Sequence, residues 1–199
     1  MKNILQVGAC GGKDNVMDIL SNGLSEITAH LIEPLPANFS LLINNYKNIE
    51  TLNNSVQFYN CAISTYTGKL TLYYQKELKN NINNLDEHCS FSYNHLLAHG
   101  HEGNIEKIEV PCYTLCNFID HFNISKTIEH LYIDTEGHDC DILLSTNFDK
   151  LDIKNITFEV IHSDGAFSRG NKLQKTFEHL QKYEYILRNQ SNFDITVGK

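Results

Sequence analysis

The stretch that most constrains the fold lies near the start. Asn3-Ile4-Leu5-Gln6-Val7 is an apolar run that leads without a break into Gly8-Ala9-Cys10-Gly11-Gly12, and a helical pattern from about Val16 to Leu20 follows. Strand, glycine turn and helix in that order open a β-α-β unit. A turn poor in side chains lets a ligand approach backbone N–H groups at the positive end of a helix. About 20 residues further on, the apolar run Ala29-His30-Leu31-Ile32 ends in Glu33-Pro34. A carboxylate therefore tips the neighbouring strand, where nucleotide-binding sheets keep their ribose-binding acid.

Two ligand classes suit this arrangement, a dinucleotide and S-adenosylmethionine. Cys10 stands where the dinucleotide pattern G-x-G-x-x-G needs its second glycine, so the backbone is not bared for a pyrophosphate. This favours the ligand without a phosphate. A plain glycine-rich turn with no ligand is the alternative.

The length of 199 residues suits one domain, taken as 1–199. A formal net charge of −8 and the lack of a Lys/Arg cluster argue against a grip on nucleic acid or an acidic membrane. A small or neutral substrate is therefore expected over a polyanion, and self-association is left open. The chain enters its first strand with no basic-then-apolar leader and has no long apolar run. Its six cysteines show no C-x-x-C pair, so free thiols and a cytoplasmic location are expected.

Further along, Pro36 opens a helix bearing Phe39, Leu42, Ile43 and Tyr46, and Val56 to Ile63 reads as a third strand. These elements make a right-handed parallel half-sheet. The turn signal Thr67-Gly68-Lys69 predicts a hairpin over Ile63 to Tyr74, off the main sheet. From 75 to 106 the pattern fails, with His88, His95, His99 and His101 among aromatic residues. Such a stretch suggests a substrate-covering insertion. Strands at Leu131 to Asp134 and Ile153 to Ile161 follow, then a helix with Leu173, Phe177 and Leu180. The chain closes on an antiparallel hairpin, Tyr185 to Leu187 with Phe193 to Val197.

Four stretches, Gln6 to Gly12, Ile32 to Phe39, Asn60 to Ser64 with Gly68, and Tyr132 to Asp139, together resemble the FkbM family of S-adenosylmethionine-dependent methyltransferases. Phe158-Glu159 with His162 is similar to the family's late strand end. The resemblance implies a three-layer, Rossmann-like class I sheet, mostly parallel, whose last strand inserts antiparallel. It also implies that Gly8, Ala9 and Gly12 underlie the cofactor, that Glu33, beside Pro34, takes its ribose, and that Cys61 and Ala62 flank its adenine. The implied reaction is methylation of a hydroxyl oxygen, with S-adenosylhomocysteine as product. Gln6 replaces an Asp of the pattern, Cys10 an Asn and Tyr132 a Lys. The loss of a carboxylate at Gln6 motivates an alternative, a non-catalytic cofactor-binding or partner-stabilising subunit.

Methyl transfer asks the protein to hold the acceptor about 3–3.5 Å from the methyl and to remove a hydroxyl proton. Asp134, at a strand end beside the cofactor, is the candidate to orient the acceptor or the cofactor's amine. An acid there can instead cap the next helix. His162 is the candidate general base and Glu159 its support, although a histidine after a strand is often a plain loop residue. Glu136 is read as a supporting carboxylate or a solvated acid. Asp134, Glu136, His138, His162 and Asp164 offer donors compatible with Mg²⁺, but their spacing does not demand a metal, and no metal ligand is assigned.

Overall fold

The computed structural model describes residues 2–22, 26–47, 55–75, 89–101 and 104–199. Its frame is a seven-stranded sheet. Four parallel strands come from β1 (Lys2–Val7), β2 (Ile27–Ile32), β3 (Ser55–Tyr59) and β7 (Thr127–Ile133), and β8 (Asp152–Glu159) extends them. β9 (Ile186–Gln190) and β10 (Asp194–Gly198) complete it in the order β3-β2-β1-β7-β8-β10-β9. β10 runs antiparallel to both β8 and β9. The order reverses between β2-β1 and β7, and such a switch point opens a crevice at the carboxyl ends of the strands.

Alternation along the strands explains the layers. Ile4, Ala29 and Leu31 point to the face covered by α1 (Asn15–Ser21) and α2 (Pro36–Tyr46), where Val16, Leu20, Leu42 and Tyr46 complete one apolar cluster. Leu5, Val7, Leu131 and Ile133 point the other way. They pack with residues of α4 (Leu115–His121), α5 (Asp139–Ser145) and α6 (Gly170–Gln181). The chain is thus a mostly parallel α/β sandwich of three layers with antiparallel carboxyl-terminal strands.

The expected strand from Val56 to Ile63 is broken. The Asn60 side-chain amide donates to the carbonyls of Glu33 and Pro34 at 2.8 and 3.1 Å. That contact draws the chain out of the main sheet after Tyr59. β4 (Ala62–Ile63) then joins a second, three-stranded sheet. The predicted Ile63–Tyr74 hairpin is therefore absent. β4 lies parallel to β6 (Ile105–Tyr113), and β5 (Gly68–Gln75) pairs antiparallel with that same β6. The long β5–β6 ladder, from Gly68↔Cys112 to Gln75↔Ile105, outcompetes a local turn at Gly68. Between them the chain carries a short helix, α3 (Tyr93–Ala98), anchored by the Ser90 bridge to Tyr73. His88 and the rest of 76–88, with 102–103, lie outside the described residues.

Candidate active site

The glycine turn is held from three sides. The Gly8 and Ala9 N–H groups donate to the Ile32 carbonyl at 3.0 Å, and the Asp134 N–H donates to the Val7 carbonyl at 3.0 Å. The backbone of Asp134 lies so close that a Cβ at Gly8, φ 81°, would fall inside its carbonyl oxygen. A Cβ at Gly12, φ 69°, would collide with Leu42 and Tyr46 of α2. Both glycines are therefore required by strand and helix packing, before any ligand is considered. The N-terminus of α1 is already satisfied, since Asp14 Oδ1 accepts from the Val16 and Met17 N–H groups. The turn therefore offers its own wall to a ligand and not the pole of α1.

Glu33 is buried and reaches across to that turn. Its Oε2 accepts from the Cys10 N–H at 2.9 Å and its Oε1 from the Leu35 N–H at 2.8 Å. The carboxylate thus fixes the positive-φ bend at Cys10 (φ 45°) while it lines the crevice.

That crevice is a cleft of about 420 Å³. Gln6, Gly8, Ala9, Gly12, Glu33, Pro34, Cys61, Ala62 and Asp134 all line it. Glu136 of the Tyr132 to Asp139 stretch lines it too, as do Asp14, Lys13, Ser90 and Phe91, which the motifs do not mark. Four carboxylates against one lysine make the wall strongly acidic. The loss of an acid at Gln6 is met by its neighbour, because Gln6 Nε2 donates to Asp14 Oδ2 at 2.6 Å. Gln6 Oε1 is buried with no hydrogen-bond partner among the described residues. An acidic wall with an orphaned acceptor fits a ligand that is cationic and donates N–H bonds, and it does not fit a pyrophosphate.

At the other end the carboxylates crowd together. The protein packed around Asp134, then the charges of Asp139, Glu136, Asp194 and Asp14, push its pKa up to about 8. Its surface is open to the cleft, so water relieves part of the burial penalty while the like-charge repulsion stays. Burial, then Asp134, Glu136, Asp139 and Asp194, push Glu159 up to about 9. Glu159 Oε2 is buried and has no hydrogen-bond partner among the described residues. Asp139 is fully enclosed and accepts from the Thr135 N–H, the Thr135 hydroxyl and the Glu159 N–H, an anchor for the turn after β7.

Among the candidate catalytic residues, Asp134 lines the cleft, while Glu159 and His162 stand behind Glu136. His162 is buried, and its Nε2 lies 3.8 Å from both Glu136 Oε2 and Glu159 Oε1. Asp134 does not cap α5, whose N-cap is His138. The possible metal donors are scattered. His138 contacts Ser64 and Asp141, and Asp164 Oδ2 accepts from the Asn171 N–H. Glu136 and His162 instead meet His95 and His99 from α3 and its end. Only the histidine-rich composition of that segment marks them in the sequence.

A β-α-β sheet with a cleft at its switch point, an acid tipping β2 and an antiparallel β10 defines a Rossmann-like fold. The model of the methyltransferase FkbM domain matches residues 6–189, and the chain belongs to this family. Among solved structures, the chain is similar to the FkbM methyltransferase of Methylobacillus flagellatus KT, with a TM-score of 0.57 and 12% identity. That similarity covers 98% of this chain and 43% of the other, so the chain spans less than half of that protein's length. It is also similar to a putative rRNA-methylase from Clostridium thermocellum, with a TM-score of 0.52, 9% identity, and coverage of 100% of this chain and 90% of the other. Both show the same fold. No curated protein matches the chain. Among the described residues no helix is long and apolar enough to cross a membrane, and all six cysteines are free thiols.

Proposed function

We propose that the chain, acting as one domain, is an S-adenosylmethionine-dependent methyltransferase whose acceptor is a hydroxyl oxygen of a small molecule or glycan. The observation that carries this reading is the composition of the cleft wall. Asp14, Glu33, Asp134 and Glu136 face a space in which Gln6 Oε1 lacks a donor. S-adenosylmethionine, when bound, supplies an electrophilic methyl group on a cationic sulfonium. Gln6 and Asp14 would hold its ammonium end, Glu33 its ribose, and Cys61 with Ala62 its adenine. Free thiols support a reducing, cytoplasmic setting.

The chain's own groups then manage the acceptor. A hydroxyl needs a base matched to neutral pH. Asp134, with its pKa pushed up to about 8 and its side chain on the cleft wall, takes that proton. Glu136 shares the wall, and His162, backed by Glu159, steadies it from behind.

Calorimetric titration with S-adenosylmethionine, S-adenosylhomocysteine and NAD tests the ligand, with binding of the first two expected. Binding of NAD alone would overturn the reading. Labelled methyl transfer to a panel of hydroxyl acceptors tests the reaction. Tight cofactor binding with no turnover across that panel, with or without Mg²⁺, would leave a binding subunit in place of the enzyme.

A further inference from the structure

His95 lies on α3, His99 at its C-cap, Glu136 on the turn after β7 and His162 on the loop after β8. One nitrogen or carboxylate oxygen from each lies within 4.8 Å of the others. His95 Nε2 is 2.9 Å from Glu136 Oε2. The ring centres of His95 and His99 are 4.5 Å apart, and those of His95 and His162 are 4.6 Å apart. Glu136 is held at φ 54° and is followed by Gly137 at φ 98°, so a residue with a side chain pays backbone strain to present its carboxylate here. One hydrogen bond explains the His95–Glu136 contact. It does not explain why two further imidazoles converge on the same carboxylate.

Tautomers sort the donors. His99 Nδ1 lies 3.1 Å from the His95 carbonyl oxygen, which can only accept, so the proton sits on Nδ1 and the lone pair on Nε2. This is the arrangement that orients a metal-binding imidazole. His162 is the reverse. Its Nδ1 accepts from the Phe167 N–H at 2.9 Å, which puts the proton on Nε2, the atom facing Glu136 and Glu159.

We propose that His95, His99 and Glu136 bind a divalent transition-metal ion of the zinc class beside the cleft wall at Glu136, with His162 orienting the Glu136 carboxylate. Two imidazoles and one carboxylate suit zinc, cobalt or iron over Mg²⁺, which prefers oxygen alone. Two ligands about 2.1 Å from one ion sit roughly 3–3.5 Å apart, so the ion would replace the proton that His95 Nε2 shares with Glu136, release it to solvent and open their 2.9 Å contact only slightly. The histidines at i and i+4 come from one face of α3, so the ion would pin that helix to the turn after β7. Three protein ligands leave a coordination position for a substrate oxygen. The site stands on its own donors and does not depend on the methyl-donor reading.

The test uses the full chain, stripped with a chelator and then titrated with Zn²⁺ and with Co²⁺. Elemental analysis and the visible absorption of Co²⁺ are the readouts, and neither requires activity. One equivalent of Zn²⁺ per chain and a raised Tm are expected, with no displacement by millimolar Mg²⁺. His99→Ala and Glu136→Gln should each weaken binding by at least about 100-fold, and His162→Gln by about 10-fold, the smaller loss typical of an orienting partner. Far-UV circular dichroism confirms that each variant folds. His99 sits half-buried at the end of a short helix, so His99→Ala keeps the test available should Glu136→Gln unfold. Sub-stoichiometric binding, equal affinity in folded variants, or a thiolate-to-Co²⁺ charge-transfer band placing the ion on cysteine would each overturn the proposal.

Discussion

On its glycine-turn side the cleft has a wall that runs from Gln6 to Ala62 and hangs on features that lie close together in the chain. On the other side Glu136 lines the cleft, and behind it His95, His99, Glu159 and His162 assemble with it from three separate excursions. The glycine-turn side gives its carboxylates fixed partners and leaves Gln6 Oε1 without one among the described residues. Glu33 holds two backbone N–H groups and Asp14 holds α1 and Gln6. Beside the histidines, Asp134 and Glu159 both have raised pKa values, and Glu159 Oε2 has no hydrogen-bond partner among the described residues. One end is built for rigidity and the other keeps reactive groups under mutual repulsion.

The sharpest way to break this contrast is Gly8→Ala. The new methyl would occupy the Asp134 carbonyl at a φ of 81°, forcing β1 and β7 apart where the two ends of the cleft meet. A loss of more than about 4 kcal/mol is expected, read as loss of soluble protein or a collapsed urea midpoint. A well-folded Gly8→Ala protein would show that the turn is not rigid.

Acid gives the next largest effect. His30 on β2 and His130 on β7 are driven by burial down to about 4 from 6.5. A depressed histidine pKa supports stability above 6.5 that is lost as pH falls toward about 4. Each histidine should remove up to about 1.4 kcal/mol per pH unit across that window. Tm measured between pH 7 and pH 4.5 checks it, and replacing both histidines should flatten the slope. A slope unchanged by the replacement would assign the acid sensitivity elsewhere.

Glu33→Ala should weaken S-adenosylmethionine binding by roughly 1–3 kcal/mol, because a charged acceptor is lost and the Cys10 bend is released. Calorimetry reads this directly. An unchanged Kd would remove Glu33 from the site and leave it a purely architectural brace.

What could be read in advance follows the same division. The parallel strands, the glycine turn, the strand-end acid Glu33 and the terminal hairpin were legible because each is written in a local pattern, whereas Cys61 and Ala62 came only from the family resemblance. The β5–β6 pairing was not, since its register joins Gln75 to Ile105 across an irregular interval. Nor was the break at Asn60, which depends on two carbonyls of a loop 26 and 27 residues away. His95 and His99 carried a compositional hint, but their convergence on Glu136 requires α3 to fold back over the turn after β7. Periodicity does not encode such a contact. Asp14 was hidden for another reason. Its capping role is readable, but its carboxylate's place beside Gln6 appears only once the turn is closed.

The last prediction probes the histidine side of the cleft itself. Glu159 has its pKa raised to about 9 from 4.5, so the folded chain holds this proton more tightly than the unfolded one. Such a group contributes stability that is full below its ordinary pKa and is lost as pH rises toward about 9. At pH 8 the wild-type chain bears most of that loss, whereas Glu159→Gln, neutral at every pH, bears none. Glu159→Gln in chelated protein should therefore raise stability at pH 8 by at least about 1 kcal/mol, and the gain should fade as pH approaches 4. Urea midpoints at the two pH values decide it. A variant less stable at pH 8 would mean that the carboxylate is paired in its charged form, and the electrostatic difference between the two ends of the cleft would vanish.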